Sequence, residues 1–259
     1  MKIATFNVNG VKARLPALLD WLRAAAPDAA VLQEIKSVDA DFPGREIEDL
    51  GYNVATHGQK GFNGVAILSK RPIEDVMRGL PGDDADEQAR WIEATIAGDR
   101  GVLRLCGLYL PNGNPAPGPK YDYKIAWMER LRVHALDLLS TEQPVAMLGD
   151  YNVIPQPIDA RRPEAWEKDA LFLPETRAAY RRIVHQGWTD ALRVTTAAQV
   201  FTFWDYQAGA FRRDDGIRID HALLSPQAAD RLTGCGVDRD ARAGDKPSDH
   251  APLWVTLDI

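Results

Sequence analysis

The chain has 259 residues, 45% apolar and 26% charged, with a formal net charge of −6 and two cysteines. That length and composition fit a globule able to bury a full core, and the lack of any apolar run of about 18 residues excludes a membrane-spanning helix. The acidic balance argues against a generic DNA coat, which needs a basic surface to release counterions; an enzyme gathering carboxylates around a metal stays open.

From the N-terminus, "KIATF" enters a strand pattern at once, which leaves no room for a signal peptide and predicts a cytoplasmic protein. "RLPALLDWLRAAA" then repeats apolar positions at helical spacing. "AAVLQ", "GVAILS", "RWIEATIA" and "VLRLCGLYL" are strand-length runs bounded mostly by Gly, Pro, Asp or Asn. Cys106, in the last of these, reads as a buried inert thiol. "PNGNPAPGP" (111–119) is a rigid connection leading to a second helical pattern, "YKIAWMERLRVHALDLLS". The strand "PVAMLG" follows, then the helix "PETRAAYRRIVHQG", with Pro174 near its start and Gly187 as its stop. Cys235, in "TGCGVD", has no metal or redox motif beside it. "RIDHALLS" and "PLWVTLDI" complete the strands.

No linker or low-complexity tract divides the chain, so a single domain over residues 1–259 is expected. Several consecutive strands lack a crossover helix, which predicts a mostly antiparallel sheet and an α+β class, with two stacked sheets and helices outside.

Polar groups recur at the strand ends. The first strand delivers Asn7, "AAVLQEIK" delivers Glu34, "LYLPNG" delivers Tyr109, and "MLGDYN" delivers Asp150 and Asn152. "GIRID" carries Asp220, and Asp249 and His250 precede the last strand. In an antiparallel sheet the end of one strand lies beside the start of the next, so all could gather at one edge. Each has a dull reading. Glu34 with Lys36 fits a surface ion pair, Tyr109 a half-buried aromatic, Asp220 beside His221 a solvent-facing pair, and Ser248-Asp249-His250 a loop bonded to itself. Together they are the inventory of a hydrolytic phosphoryl-transfer site. A hard divalent ion prefers oxygen donors, and no Cys or His cluster here suits zinc.

The ordered set "FNVNG", "LQEIK", "HGQKGFNGVAILSK", "YLPNG", "GDYN", "FWDY", "RID" and "SDHAP" resembles the endonuclease/exonuclease/phosphatase family, which includes DNase I. "HGQKG", "PGDD", "FLPE" and "KPSDHAP" narrow the likeness to its exonuclease III branch, the bacterial AP endonucleases. The resemblance implies a DNase I-like four-layered α/β sandwich and an enzyme using Mg²⁺, with Mn²⁺ as an alternative. It implies that Glu34 is the main metal ligand, with Asn7 and Asp249 close to the ion. Asp150 would activate water, Asn152 orient it, and His250, held by Asp220, contact the scissile phosphate together with Tyr109. Phe203, Trp204 and Ile217 would line a slot for a baseless sugar, although "FTFWDY" also reads as plain strand core. Arg90, Asn112 and Lys120 would hold the DNA backbone, and Lys124, Arg212 and Arg213 are further basic candidates.

The implied substrate is double-stranded DNA with abasic sites or damaged 3′ ends, handled by a monomer without a membrane partner. Departures from the family pattern are Ile35 for Thr, Asn112 for Gln, the aromatic order in "FWDY", and Asn9 where eukaryotic relatives carry Asp. Two rivals share the scaffold. One is a non-catalytic nucleic-acid-binding regulator, disfavoured by intact "GDYN" and "SDHAP"; the other is an inositol-phosphate or phospholipid phosphatase, which would lack "HGQKG" and "FWDY".

Overall fold

The computed structural model describes residues 1–259. Its first half runs β1 (Lys2–Asn7), α1 (Leu15–Ala25), β2 (Ala29–Gln33), α2 (Gly44–Glu48), β3 (Asn53–His57), β4 (Val65–Ser69), β5 (Ile73–Arg78), β6 (Trp91–Ala97) and β7 (Val102–Tyr109). Then follow α3 (Pro119–Ser140), β8 (Val145–Asp150), α4 (Pro174–Val184), β9 (Thr189–Asp190), α5 (Ala191–Thr195), β10 (Asp220–Leu224), α6 (Pro226–Ala229), β11 (Leu232–Val237) and β12 (Leu253–Leu257).

The strands form two six-stranded sheets, ordered β11-β12-β1-β2-β4-β3 and β5-β6-β7-β8-β10-β9. Each sheet holds one parallel pair, β1 with β2 and β7 with β8, and is otherwise antiparallel. The expected α+β sandwich is what the chain adopts, and no helix is long and apolar enough to cross a membrane.

Side-chain alternation builds the layers. On β8, Ala146 and Leu148 face the opposite sheet, in one core with Ile3, Val31, Ile67 and Leu105. Val145 and Met147 turn outward beneath Trp127, Met128 and Leu131 of α3 and Tyr180 and Ile183 of α4. On β1, Ile3 faces inward, whereas Ala4 and Phe6 meet Leu18, Trp21 and Leu22 of α1. Helix, sheet, sheet and helix therefore stack in four layers. Helix α3 starts at Pro119, at the end of the segment read from sequence as connection; proline suits the first helical turn because its missing N–H would be unpaired there anyway.

Candidate active site

The alternation that builds the core also builds the site. Leu148 faces the opposite sheet, so Asp150 two residues on does too, at the last position of β8. Leu105 leads in the same way to Tyr109 on β7, and Leu224 and Ala222 lead back to Asp220 on β10. Register sets these ends side by side: Tyr109 opposes Asp150, and Asp150 opposes Asp220. Asn7, at the end of β1, arrives from the other sheet and donates from Nδ2 to Asp150 Oδ2 at 3.0 Å. One rim of the inter-sheet layer thus turns from apolar to polar.

Glu34 needs a further device. Continued alternation along β2 would aim it towards α1, but its φ of 51° ends the strand and swings it to the rim. There Glu34 Oε1 accepts from Asn7 Nδ2 at 2.9 Å, so a single amide links the two carboxylates. Lys36, Asn9 and Asn152 also lie in the left-handed region, at φ 51°, 47° and 48°. That conformation costs non-glycine residues roughly 1–2 kcal/mol and persists where surrounding contacts over-determine it.

The strand does not continue to Asn152, because β8 stops at Asp150 and the Asn152 backbone turns left-handed. Asn152 instead folds back, donating from its backbone N–H to Asp150 Oδ1 at 2.8 Å and from Nδ2 to the Leu110 carbonyl at 2.9 Å. Its Oδ1 accepts from Asn112 Nδ2 at 3.1 Å.

His250 donates from Nδ1 to Asp220 Oδ2 at 2.8 Å, which leaves Nε2 facing Asp150 Oδ2 at 3.8 Å. Asp220, Asp150 and His250 are all buried. Burial opposes a charge on His250, but the Asp220 carboxylate outweighs it and lifts the imidazole to about 10. Burial, reinforced by the charge of Asp220, raises Asp150 to about 7 despite the attraction of His250. Burial also works against the Glu34 charge, yet the bonds from Asn7 and Lys36 hold it below its usual value. Tyr109 is pushed well above its ordinary value by burial and by the carboxylates of Glu34 and Asp150; the phenol stays protonated. His221, far from solvent-facing, lies on the opposite side of β10, donates from Nε2 to the Val153 carbonyl at 2.9 Å, and falls to about 4 through burial.

Three residues at the rim were undervalued by sequence. Lys36 bonds Glu34 Oε2 at 2.8 Å and Asn9 Oδ1 at 2.6 Å, so the Glu34–Lys36 pair is real but sits inside the site. Asn9 Nδ2 reaches Asp249 Oδ1 at 3.1 Å and thereby connects Asp249 to this network. Ser248 donates from Oγ to the Asn7 carbonyl at 2.7 Å and accepts from the His250 N–H at 3.2 Å, stitching β1 to the Asp-His turn. The signal for Ser248 was present in "SDHAP", where it read only as a loop residue.

The Asp150, Asp220 and His250 ligand atoms lie within 4.8 Å of one another. The 2.8 Å bond between His250 and Asp220 marks that trio as a hydrogen-bonded relay rather than a cation cage. Glu34, beside Asn7 and connected through Lys36 and Asn9 to Asp249, offers the oxygen donors a hard divalent ion prefers, and it already accepts one cationic group, the Lys36 ammonium.

The residues expected to bind substrate divide. Arg90 stands beside the rim, its guanidinium 4.9 Å from the Tyr109 ring centroid and bonded to the Tyr109 carbonyl at 3.1 Å. Asn112 and Lys120 are exposed. Phe203 is partly buried, with its ring 5.0 Å from that of His250. It packs against an apolar cluster of Ile217, Ile219, Ile154, Ala160 and Phe172. Ile219, missed by sequence, shares that wall by alternation with Ile217. Trp204 does not line it. Alternation turns Trp204 away from Phe203 into a separate cluster with Phe201, Ala210 and Ala251, where it is 1% exposed and bonds Asp214 at 3.2 Å; for Trp204 the strand-core reading holds. Lys124 is likewise unavailable to phosphate, being fully buried, and Arg213 pairs with Asp215 at 3.7 Å.

A family model described as the Endonuclease/Exonuclease/phosphatase family matches residues 4–250. The chain is 37% identical to Exodeoxyribonuclease III of Haemophilus influenzae over 98% of its own length and 99% of that protein. It is similar to the solved AP endonuclease of Archaeoglobus fulgidus, with a TM-score of 0.94, 38% identity and 100% of each chain covered. It is equally similar, at TM-score 0.94, 36% identity and full coverage of both chains, to the 3′ phosphatase NExo from Neisseria, solved bound to a product DNA hairpin. The polar rim between the two sheets is thus a feature of a known fold, and the chain belongs to the endonuclease/exonuclease/phosphatase family.

Proposed function

We propose that the chain is a metal-dependent DNA-repair phosphodiesterase that cleaves duplex DNA 5′ to abasic sites and trims or unblocks 3′ ends, acting as a monomer. The observation that carries this reading is the Asn7 amide held between Glu34 and Asp150, at 2.9 and 3.0 Å, with His250 3.8 Å from the same Asp150 oxygen. Asp150, raised to about 7, is a base matched to neutral pH. It takes the proton as water attacks phosphorus; the new P–O bond forms while the bond to the leaving 3′ oxygen breaks. The Asn152 side-chain amide orients that water, and its backbone N–H steadies Asp150. His250, charged because Asp220 holds it so, and the protonated Tyr109 donate to phosphate oxygens as negative charge develops. Glu34, with Asn7 and Asp249 near it, would hold Mg²⁺ or Mn²⁺, which neutralises charge on the phosphate. Arg90, Asn112 and Lys120 grip the backbone on the flanking side.

Substrate choice rests on the apolar wall of Phe203, Ile217 and Ile219 beside His250. A nucleotide without its base has little stacking to lose when turned out of the helix, and a narrow apolar wall accepts the sugar while excluding an intact base.

The test is a parallel incubation with abasic, 3′-phosphate and nicked duplexes, with Mg²⁺ and after EDTA. Abasic cleavage and 3′-end release that stop on chelation and return with Mg²⁺ are expected, and Asp150→Asn should abolish both while leaving DNA binding largely intact. Activity surviving chelation removes the metal from the account; an Asp150→Asn variant cutting at near wild-type rate removes the base.

A further inference from the structure

Lys124, on the inner side of α3, has no exposed surface. Burial lowers the Lys124 amine to about 7, and a buried polar group costs free energy unless it is paired; here its N–H donors are used on the loops that carry two site residues. Its Nζ donates to the Asn152 carbonyl at 2.6 Å and to the Asn112 carbonyl at 3.1 Å. Above those carbonyls the two side chains bond each other at 3.1 Å, and Asn152 adds its bond to Leu110. The loop is shaped around the lysine stem: Gly113, at φ +89°, would place a Cβ only 2.6 Å from Lys124 Cδ. A glycine is therefore required where the chain passes over the side chain.

We propose that Lys124 is a positioning residue, its buried amino group clamping the Asn112 and Asn152 carbonyls so that both amides stay fixed at the face where the phosphodiester binds. It touches neither substrate nor water and acts through Asn152. An apolar side chain of equal length would fill the space but leave the buried Asn152 carbonyl and the partly buried Asn112 carbonyl without their donor, and the loops would part. The proposal rests on the phosphodiesterase reading above and names how that site is held.

A double-mutant cycle tests it. Lys124→Met should lower kcat on an abasic duplex about tenfold or more with KM changed about threefold or less, in protein that melts as a folded chain. In an Asn152→Ala background the same change should cost about twofold or less, because the amide it positions is gone. Equal losses in both backgrounds, or no loss in the first, overturn the proposal. If Lys124→Met does not fold, Lys124→Gln, which keeps an N–H donor, is read in the same cycle. Failure of both to fold makes the residue purely part of the core and also overturns it. A wild-type chain inactive on every DNA substrate would instead sink the underlying reading.

Discussion

Replacing Asp220 by Asn should convert His250 from an imidazolium into a neutral imidazole. The two are buried and joined at 2.8 Å, and the Asp220 charge lifts His250 from 6.5 to about 10 against its burial. Returning it to its ordinary value corresponds to on the order of 5 kcal/mol, at 1.36 kcal/mol per pKa step. The amide keeps the volume and an acceptor oxygen but not the charge, so burial then dominates and drives the ring neutral. Near pH 8 the wild type holds the proton on Nε2 and the variant does not, so kcat on an abasic duplex should fall about a hundredfold or more. The alkaline limb of the pH profile should move from near 10 to below about 7, so that acidification recovers part of the loss. Stability should follow the same sign. A raised histidine pKa contributes stability present in full below 6.5 and lost as pH rises through about 10, so the variant is less stable at neutral pH and the deficit closes in alkali. The assays are kcat against pH, nitrogen NMR of the His250 ring, and thermal melts across the same range. A variant within about threefold of wild type near pH 8, with an unmoved alkaline limb, refutes the reasoning.

Asp150→Asn should stabilise the fold while removing activity. The raised Asp150 makes ionisation costly, with no penalty below 3.8 and the full penalty above about 7. The neutral amide avoids it, and the gain is on the order of 4 kcal/mol at most, because the attraction to His250 goes too. Melts near neutral pH should show a higher Tm for the variant, with the advantage shrinking on acidification; a lower Tm at neutral pH contradicts this. Phe203→Ala and Trp204→Ala should separate. The first should reduce abasic cleavage far more than hydrolysis of a small phosphodiester. The second, emptying a closed cluster, should cost about 3–5 kcal/mol of stability with similar losses on both substrates. Equal behaviour of the two variants rejects the assigned wall.

The strands that sequence revealed are those with neighbours on both sides. β3, β5, β9 and β11 were not read, and all are sheet edges. An edge strand is covered on fewer sides, so "NVATH" and "IEDVMR" keep exposed or half-exposed positions where β2 and β4 are buried throughout. The hydrophobic signal fades where burial fades. In the site, Asn7 and Asp150 were legible because each ends an apolar run on the inward parity, and Asp220 because it opens one. Glu34 was legible as a strand-end carboxylate, but it reaches the rim by a left-handed backbone turn that no periodicity encodes; only the family motif pointed to it as the metal ligand. Trp204 misled because aromatic content carries no parity: one residue decides whether a ring faces the rim beside His250 or the cluster behind it. Lys124 misled because a charge reads as solvated, whereas two backbone carbonyls from distant loops satisfy it.

Crystals grown with Mn²⁺ give the most direct measurement, an anomalous difference map locating the ion without reference to activity. The account predicts a peak within about 2.2 Å of a Glu34 oxygen, on the side of Asn7 and Asp150. A peak elsewhere in crystals of active protein, with Glu34 still bonded only to Lys36 and Asn7, would contradict a cation held at the meeting of the two sheets.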